Sequence, residues 1–219
     1  MNDTIAAIST ALGVGAISII RVSGPDSISI VNKITKSKKL LQYKSHTINY
    51  DHIVENDKVI DEVLISIMKS PKTFTKEDIV EVNCHGGIAT TNKVLELLLT
   101  NGCRLALPGE FSKRAFLNGR IDLIEAEGIM DLINAKTDKS LKLAINQVSG
   151  KVSNLIKSIR DKLSQLIANI EVNIDFPEYE DVLVVTNKMI KENISIIEEN
   201  IKEILRKSEN SKIINEGIS

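Results

Sequence analysis

The first candidate for chemistry is a carboxylate, Glu81, in the run from Asp78 to Asn83. Polar residues alternate in this run with Val80 and Val82, which predicts a short strand with one apolar and one polar face. A carboxylate on the polar face can accept two N–H donors from the amidine edge of a heterocycle in a bidentate geometry. Glu81 is therefore a candidate ligand contact. The alternative is a carboxylate at the rim of the sheet that pairs with a lysine or an arginine.

The second candidate is Arg21, the only charged residue between Asp3 and Asp26. It lies late in an apolar, β-branched run, residues 15–22, that predicts another strand. A cation on such a strand must be paired or must face a ligand, because an isolated buried charge is costly. The alternative is a surface arginine on the open face of the strand.

The third candidate is the segment 107–123, which combines turn residues with cations. Its sequence predicts a turn, then a short helix that begins at Glu110 and ends near Asn118, and then an N-cap at Asp122 for the next helix. Three cations fall within eight residues, so a bound anion is one interpretation and a solvated hinge between domains is the other. These cations are Lys113, Arg114 and Arg120.

Two further residues, Cys84 and His85, follow the predicted Glu81 strand directly. They form a thiolate pair only if the thiol is exposed and its pKa is low, so we favour the interpretation that both simply end the strand. The second cysteine, Cys103, is not at zinc-ligand spacing from the first, and two unpaired thiols suggest a reducing compartment.

Composition excludes several classes of protein. The 219 residues carry 28 basic and 29 acidic side chains, which argues against a basic nucleic-acid coat and against a polybasic membrane anchor. Aromatic residues make up only 3% of the chain, which argues against a platform for base stacking. No GxxxxGKS/T phosphate loop, HExxH motif or GxSxG motif occurs. With no signal peptide and no long apolar run, we expect a cytoplasmic protein that does not associate with membranes.

The elements that must position these residues differ between the two halves of the chain. Residues 1–120 contain eight of the eleven glycines and predict a mixed α+β domain, with a hairpin formed by 46–54 and 58–68 and a helix that starts at 88. Residues 121–219 predict an all-α domain. One apolar stripe from Ile145 to Ile170 predicts a single helix of some seven turns that ends before Pro177.

The last part of the chain predicts another long helix, with isoleucines at helical spacing from Ile190 to Ile204. Two such amphipathic helices need each other and at least one more helix to bury their apolar stripes. Residues 208–219 predict either a frayed tail or a point at which a longer protein is interrupted.

The three motifs together resemble the amino-terminal part of the TrmE/MnmE family of tRNA modification GTPases. Thr4 to Ile8 and Gly13 to Gly24 match the family's opening motifs, and Phe74 to Gly87 matches its Cys-His-Gly-Gly segment. Pro108 to Glu127 matches its Pro-Gly-Glu-Phe segment, the most specific of the motifs, and a further match is the Asp-Phe-Pro-Glu run of 175–178 in the helical part. The resemblance covers essentially the whole chain.

The resemblance implies a fold and a cofactor. Residues 1–120 would be a folate-binding and dimerisation domain like that of the glycine-cleavage aminomethyltransferase, with 5-formyltetrahydrofolate bound near the dimer interface. Residues 121–219 would be the first part of a helical domain, cut before an inserted GTPase domain. A complete member would be a homodimer that hydrolyses GTP with Mg²⁺ and K⁺. Together with the FAD-dependent partner MnmG it would add an aminomethyl-type group to C5 of the wobble uridine in tRNA.

Three residues carry over from the family's folate site, namely Arg21, Glu81 and Arg120. Arg120 stands where the family usually has a lysine, which keeps the charge but changes its geometry. Lys76 stands where the family has a glycine, which removes easy access to a positive φ. The competing hypothesis is a purely structural module that dimerises and docks MnmG without significant folate binding. An independent aminomethyltransferase is disfavoured because the second half is helical rather than β-rich.

Overall fold

The computed structural model describes residues 3–176 and 185–216, with side chains through residue 206. The chain divides into two compact units, Met1–Ile121 and Asp122–Ser219. The first contains a mixed sheet with helices, and the second is helical in its described part. The predicted fold class, an α+β domain followed by an all-α region, is confirmed.

The first unit is built on six strands. They are β1 Ile5–Ile8, β2 Ile17–Ser23, β3 Thr47–Glu55, β4 Lys58–Met68, β5 Ile79–His85 and β6 Arg104–Leu105. Their order across the sheet is β3-β4-β5-β2-β1-β6. β1 and β6 are parallel, and every other neighbouring pair is antiparallel. The predicted hairpin of β3 and β4 is confirmed, and its turn places Asn56 and Asp57 at positive φ, as a tight hairpin requires.

Strand β1 has no counterpart among the strands that the sequence predicts. It is only four residues long, and two of them are alanines with little intrinsic preference for strands. It forms because β2 on one side and β6 on the other supply hydrogen-bond partners. The β6 partner lies about a hundred residues away, so local patterns contain no signal for this pairing.

Three helices accompany the sheet: α1 Ser27–Ile34, α2 Ile88–Thr100 and α3 Glu110–Leu117, with a single turn of 3-10 helix at Leu40–Gln42. The apolar residues of α1 and α2 form one core with the inward residues of the central strands. Ile20 and Val22 on β2, with Val80 and Val82 on β5, are fully buried in it. Because successive side chains alternate between faces, the residues between them project from the opposite face of the sheet.

The second unit contains four helices: α4 Leu123–Asn134, α5 Asp138–Val148, α6 Lys151–Asp175 and α7 Asn187–Glu216. Asp122 caps α4 and Thr137 caps α5, each through a reciprocal capping box. The prediction of Asp122 as an N-cap is therefore confirmed.

The predicted single helix from Ile145 to Ile170 is wrong, because the chain breaks it into α5 and α6. Gly150 adopts a left-handed φ of +74°, which ends α5 and starts α6 in a new direction. The apolar spacing of 3 and 4 continues across this turn, so periodicity alone does not reveal the break. A glycine that follows a serine is the local signal for it.

The ends of the two long helices agree with the sequence only in part. Phe176 has left the helical region (φ −134°, ψ 59°), as expected for a residue before proline; Pro177 itself lies outside the described residues. The apolar stripe Ile190 to Ile204 lies on α7, as predicted. α7 continues to Glu216, so most of the predicted frayed tail is helical, and 217–219 lie outside the described residues.

The helices of the second unit bury little of their apolar surface against one another. Ala144 and Ile197 are buried, whereas α6 has no buried residue and its Ile167 and Ile174 are 54% and 71% exposed. These side chains are far more exposed than those of a finished helical core, which agrees with the expectation that further helices are needed to cover the stripes.

Replacement of Gly150 by alanine tests the break between α5 and α6. We expect a loss of about 1 kcal/mol or more in the free energy of unfolding, because alanine is strained at positive φ. Its Cβ would also lie 3.0 Å from Oε1 of Glu125. Ser149→Ala is the matched control, since Ser149 has an ordinary φ of −79° and is exposed. Urea denaturation followed by circular dichroism measures both, and equal stability of the two variants would contradict the assignment.

Candidate functional site

The candidate residues Arg21 and Glu81 are direct cross-strand partners on the open face of the sheet. Nε of Arg21 donates to Oε1 of Glu81 at 2.8 Å, and Nη2 lies 2.7 Å from the same oxygen. The two side chains are 32% and 21% exposed, so the pair is half-buried. Within the described part of the chain, Oε2 of Glu81 receives no hydrogen bond. The carboxylate thus pairs with an arginine, as in the alternative interpretation, yet keeps one oxygen uncommitted.

An aromatic ring from α3 accompanies this ion pair. The guanidinium carbon of Arg21 lies 5.8 Å from the centroid of the Phe111 ring, within cation–π range. Phe111 is half-buried, so the ring and the guanidinium form a partly desolvated surface beside Glu81. The arrangement offers a flat apolar wall, a cation and a carboxylate oxygen in one place.

The third predicted residue, Arg120, is not in contact with the other two among the described residues. Its guanidinium carbon lies 5.2 Å from the centroid of the Phe74 ring, in the loop that precedes β5. The side chain is exposed and forms no ion pair in the described structure. The structure therefore joins Arg21 to Glu81 and places Arg120 at a separate cation–π contact of the same unit.

The loop before β5 is fastened to the end of α3. Nδ2 of Asn118 donates to the carbonyl of Thr75 at 2.6 Å, and Nζ of Lys76 donates to the carbonyl of Gly119 at 2.8 Å. Lys76 has a positive φ of 57°, the conformation that a glycine would adopt more easily. The lysine thus keeps the left-handed backbone and adds a hydrogen bond across the loop.

A buried guanidinium, that of Arg114, connects α3 to the segments that precede β1 and β5. The side chain is inaccessible to solvent and lies 2.8 Å from Oδ1 of Asp3, 3.2 Å from Oε1 of Glu77 and 3.2 Å from Oε1 of Glu110. It also donates to the backbone carbonyl of Asp3. Because these carboxylates neutralise it, Arg114 is committed to the protein's own acids rather than to the bound anion that its cation-rich segment suggests.

A second arginine completes this cluster. Arg104 reaches both Asp3 and Glu110, and the amide of Leu107 donates to Glu110 at 2.8 Å. The hydrogen bond from Arg104 is the main reason that the pKa of Glu110 is lowered to about 2. The pKa of Asp3 is also lowered, chiefly by its hydrogen bond with Arg104. Both carboxylates therefore stay ionised well below neutral pH.

Sequence reasoning missed this cluster because its members are far apart along the chain. Asp3, Glu77 and Arg104 carry no local pattern that predicts a partner. The spacing of Glu110 and Arg114, four residues apart on one helix, is a first signal in the sequence. A second hint is the scarcity of arginine in a lysine-rich chain, since arginine is the residue suited to buried, multiply hydrogen-bonded pairs.

Cys84 and His85 do not form a reactive pair. Burial raises the pKa of the Cys84 thiol, which is the opposite of what a thiolate nucleophile requires. The imidazole of His85 instead contacts Asp61, with Nδ1 2.7 Å from Oδ1, and this hydrogen bond raises the pKa of the imidazole. Both residues end strand β5, as predicted.

The described ranges, 3–176 and 185–216, contain neither a candidate metal site nor a candidate membrane-spanning helix. In these ranges no three His, Cys, Asp or Glu side chains are grouped so that they would hold a metal ion. None of the helices there has an apolar stretch long enough to cross a bilayer.

Both units match known protein families. The family model described as GTP-binding protein TrmE N-terminus matches residues 4–120, and the one described as MnmE helical domain matches residues 123–219. These two matches define a TrmE-type amino-terminal domain followed by a helical domain. The chain belongs to the TrmE/MnmE family.

Individual relatives agree with this assignment. The tRNA modification GTPase MnmE of Bacillus cytotoxicus is 57% identical over 219 residues, which cover 99% of this chain and 48% of the relative. The proteins of the same name from Streptococcus thermophilus and Ligilactobacillus salivarius are 54% and 52% identical over 217 and 219 residues, again 99% of this chain and 48% and 47% of theirs. The chain therefore spans about half the length of the curated relatives that it matches.

The low pKa of Glu110 predicts how stability depends on pH. The pKa falls from 4.5 to about 2 on folding, so the stabilisation is complete above pH 4.5 and is lost as the pH falls toward 2. The loss amounts to about 3 kcal/mol. Glu110→Gln should be less stable than the parent at neutral pH and should show a flatter decline in acid. Glu96→Gln, on the surface of α2, should keep the parent's profile. Urea denaturation at each pH measures the free energy of unfolding. If it declined in parallel with acid for the parent and Glu110→Gln, the lowered pKa of Glu110 would be contradicted.

A pair of variants at Lys76 separates backbone strain from the side-chain hydrogen bond. Lys76→Ala and Lys76→Gly both lose the bond to Gly119, but only glycine relieves the positive φ. We expect the glycine variant to be more stable than the alanine variant by about 1 kcal/mol. Thermal unfolding of the two proteins measures this difference, and a more stable alanine variant would show that residue 76 does not hold the left-handed conformation.

Proposed function

We propose that this chain is the amino-terminal and first helical part of a tRNA-modifying GTPase. The support is the match of both units to domains of one family and the name that its relatives share, tRNA modification GTPase. The complete protein would hydrolyse GTP with Mg²⁺ and K⁺ in a domain outside these residues, because this sequence contains no GxxxxGKS/T phosphate loop. It would act in the cytoplasm with MnmG to place an aminomethyl-type group on C5 of the wobble uridine.

Within that protein, the first unit would bind 5-formyltetrahydrofolate at Arg21, Glu81 and Arg120. The observation that carries this proposal is the Arg21–Glu81 pair on the open sheet face, in which Glu81 keeps a free carboxylate oxygen beside the Phe111 ring. These groups suit a flat heterocycle that has N–H donors and anionic oxygens, and so they fit a reduced folate. The folate would supply the one-carbon unit.

Each residue has a defined task in this proposal. Oε2 of Glu81 accepts one N–H from the amidine edge of the ligand at once, whereas a bidentate clamp requires Arg21 to release Oε1. The Phe111 ring holds the guanidinium of Arg21 near the sheet after that release, so that it can meet a carbonyl or carboxylate oxygen of the ligand. Arg120 would contact the more distal oxygens from its position over Phe74.

A second candidate function is a structural module that dimerises and docks MnmG without significant folate binding. The observation that favours it is that Arg21 and Glu81 already satisfy much of each other's charge. The same face of β3 and β4 also exposes Ile48, Tyr50 and Leu64, at 70%, 59% and 48%. Such a surface suits contact with a second copy. Homodimerisation belongs to both candidates, so a chain that sediments as a monomer would count against both.

Calorimetric titration with 5-formyltetrahydrofolate separates the two functions. We expect the parent chain to bind, and Glu81→Gln to bind about 10- to 150-fold more weakly, because charged hydrogen bonds contribute about 1.5–3 kcal/mol. Glu96→Gln removes an equivalent charge from α2 and should bind like the parent. Absence of binding in the parent, or equal affinity in the parent and Glu81→Gln, would leave the structural module as the function.

A further inference from the structure

One segment of the first unit concentrates positive charge. Between Asp26 and Asp51 the sequence has no acidic residue, and the stretch 33–44 carries five lysines. The side chains of all five are exposed. They are Lys33, Lys36, Lys38, Lys39 and Lys44.

The backbone that carries these lysines is fixed by hydrogen bonds. The amide of Ser37 donates to the buried carboxylate of Asp51 at 3.2 Å, and the amide of Leu40 donates to Oδ1 of Asn32 at 2.9 Å. The amide of Lys36 donates to the carbonyl of His52 on β3 at 2.9 Å. Leu40 is itself fully buried in the core. Lys36, Lys38, Lys39 and Lys44 thus lie on an ordered loop beside β3, and Lys33 lies in the last turn of α1 directly before it.

Two more lysines lie next to this loop. Nε2 of His46 lies 3.0 Å from the carbonyl of Lys72, and the amide of Lys69 donates to Oγ of Ser45 at 2.8 Å. These contacts place the segment 69–72 against the end of the basic loop. We define the lysine patch as the seven residues Lys33, Lys36, Lys38, Lys39, Lys44, Lys69 and Lys72.

The patch has no carboxylate partner among the described residues, whereas four of the unit's eight other cations do. Arg21, Arg104, Arg114 and Lys93 all form ion pairs with carboxylates. Among the described residues, no carboxylate forms an ion pair with any lysine of the patch; Lys38 donates to the backbone carbonyl of Lys33 instead. Seven lysines on segments that contact one another, none paired with a carboxylate among the described residues, attract a polyanion, since the potentials of charges within a Debye length of roughly 8–10 Å add.

We propose that the lysine patch binds the phosphate backbone of RNA. Ammonium groups on flexible stems contact phosphates as point charges, and few aromatic side chains are available here to stack or read bases. The patch would therefore position an RNA without selecting its sequence. The choice of RNA among polyanions rests on the proposed role in tRNA modification, whereas the patch itself does not depend on folate binding.

Fluorescence anisotropy with an unmodified tRNA transcript tests this proposal on the chain as it stands. The test variant replaces Lys36, Lys38, Lys39 and Lys44 by glutamine. The control makes the same change of charge at four exposed lysines of the second unit, Lys139, Lys142, Lys157 and Lys162. Titrations between about 50 and 200 mM KCl give the slope of log affinity against log salt.

We expect the patch variant to bind tRNA about tenfold or more weakly at 100 mM KCl, with a salt slope reduced by about three, since each lost phosphate contact lowers the slope by about one. The control should behave like the parent. Unchanged far-UV circular dichroism confirms that the patch variant is folded. Equal tRNA affinity of the parent and the patch variant, or an equal loss in the control, would overturn the proposal.

Two further measurements separate the lysine-patch proposal from the folate proposal and from membrane binding. Glu81→Gln should keep full tRNA affinity. A negative result for folate binding would then leave the lysine-patch proposal intact, and a negative result for tRNA binding would leave the folate proposal intact. Vesicles of equal parts phosphatidylcholine and phosphatidylserine should not compete with tRNA. Patch-dependent binding to these vesicles without binding to tRNA would assign the surface to a membrane and contradict the RNA proposal.

Discussion

The buried guanidinium of Arg114 is the constraint on which the arrangement of the first unit depends. A charge with no access to solvent must be matched by carboxylates in good geometry, and the loss of one partner leaves an uncompensated charge that costs several kcal/mol. Its partners Asp3, Glu77 and Glu110 come from three distant parts of the chain. The cluster therefore allows only one position of α3 relative to the amino-terminal segment and the loop before β5. That position brings Phe111 over Arg21.

The candidate site follows from this constraint together with the one-sided core. Helices α1 and α2 supply apolar side chains to one face of the sheet, and the alternation of β2 and β5 then directs Arg21 and Glu81 to the other. On that face the pair keeps part of its hydration, so it avoids the full desolvation cost that the Arg114 cluster must offset. The half-exposed Arg21–Glu81 pair can exchange partners and therefore suits ligand binding. The fully buried Arg114 cluster instead suits a fixed contact that stabilises the fold.

The sequence predicts those features whose causes are local. The hairpin of β3 and β4, helix α2 and the cap at Asp122 each depend on a pattern within a few residues. Arg21 and Glu81 are both recognisable as charges on apolar strands, but their direct pairing depends on the register of strands sixty residues apart. The same limitation hides β1 and the Arg114 cluster. At Gly150 the local pattern misleads, because apolar spacing stays in phase through a turn that the glycine introduces.

The balanced net charge conceals a structural difference between the arginines of the first unit and the lysines of the patch. Of the six arginines in the chain, the four in the first unit each lie against a carboxylate or a phenylalanine ring. Their planar forks suit fixed, directional contacts inside the protein. Among the residues that the structure describes, the lysines of the patch form no ion pair with a carboxylate, and six of the seven are exposed, so their charge is available to a partner. Whole-chain composition averages these two populations with the acidic second half. The folded unit separates them, and for this reason a chain with a net charge of −1 can still present a surface that attracts a polyanion.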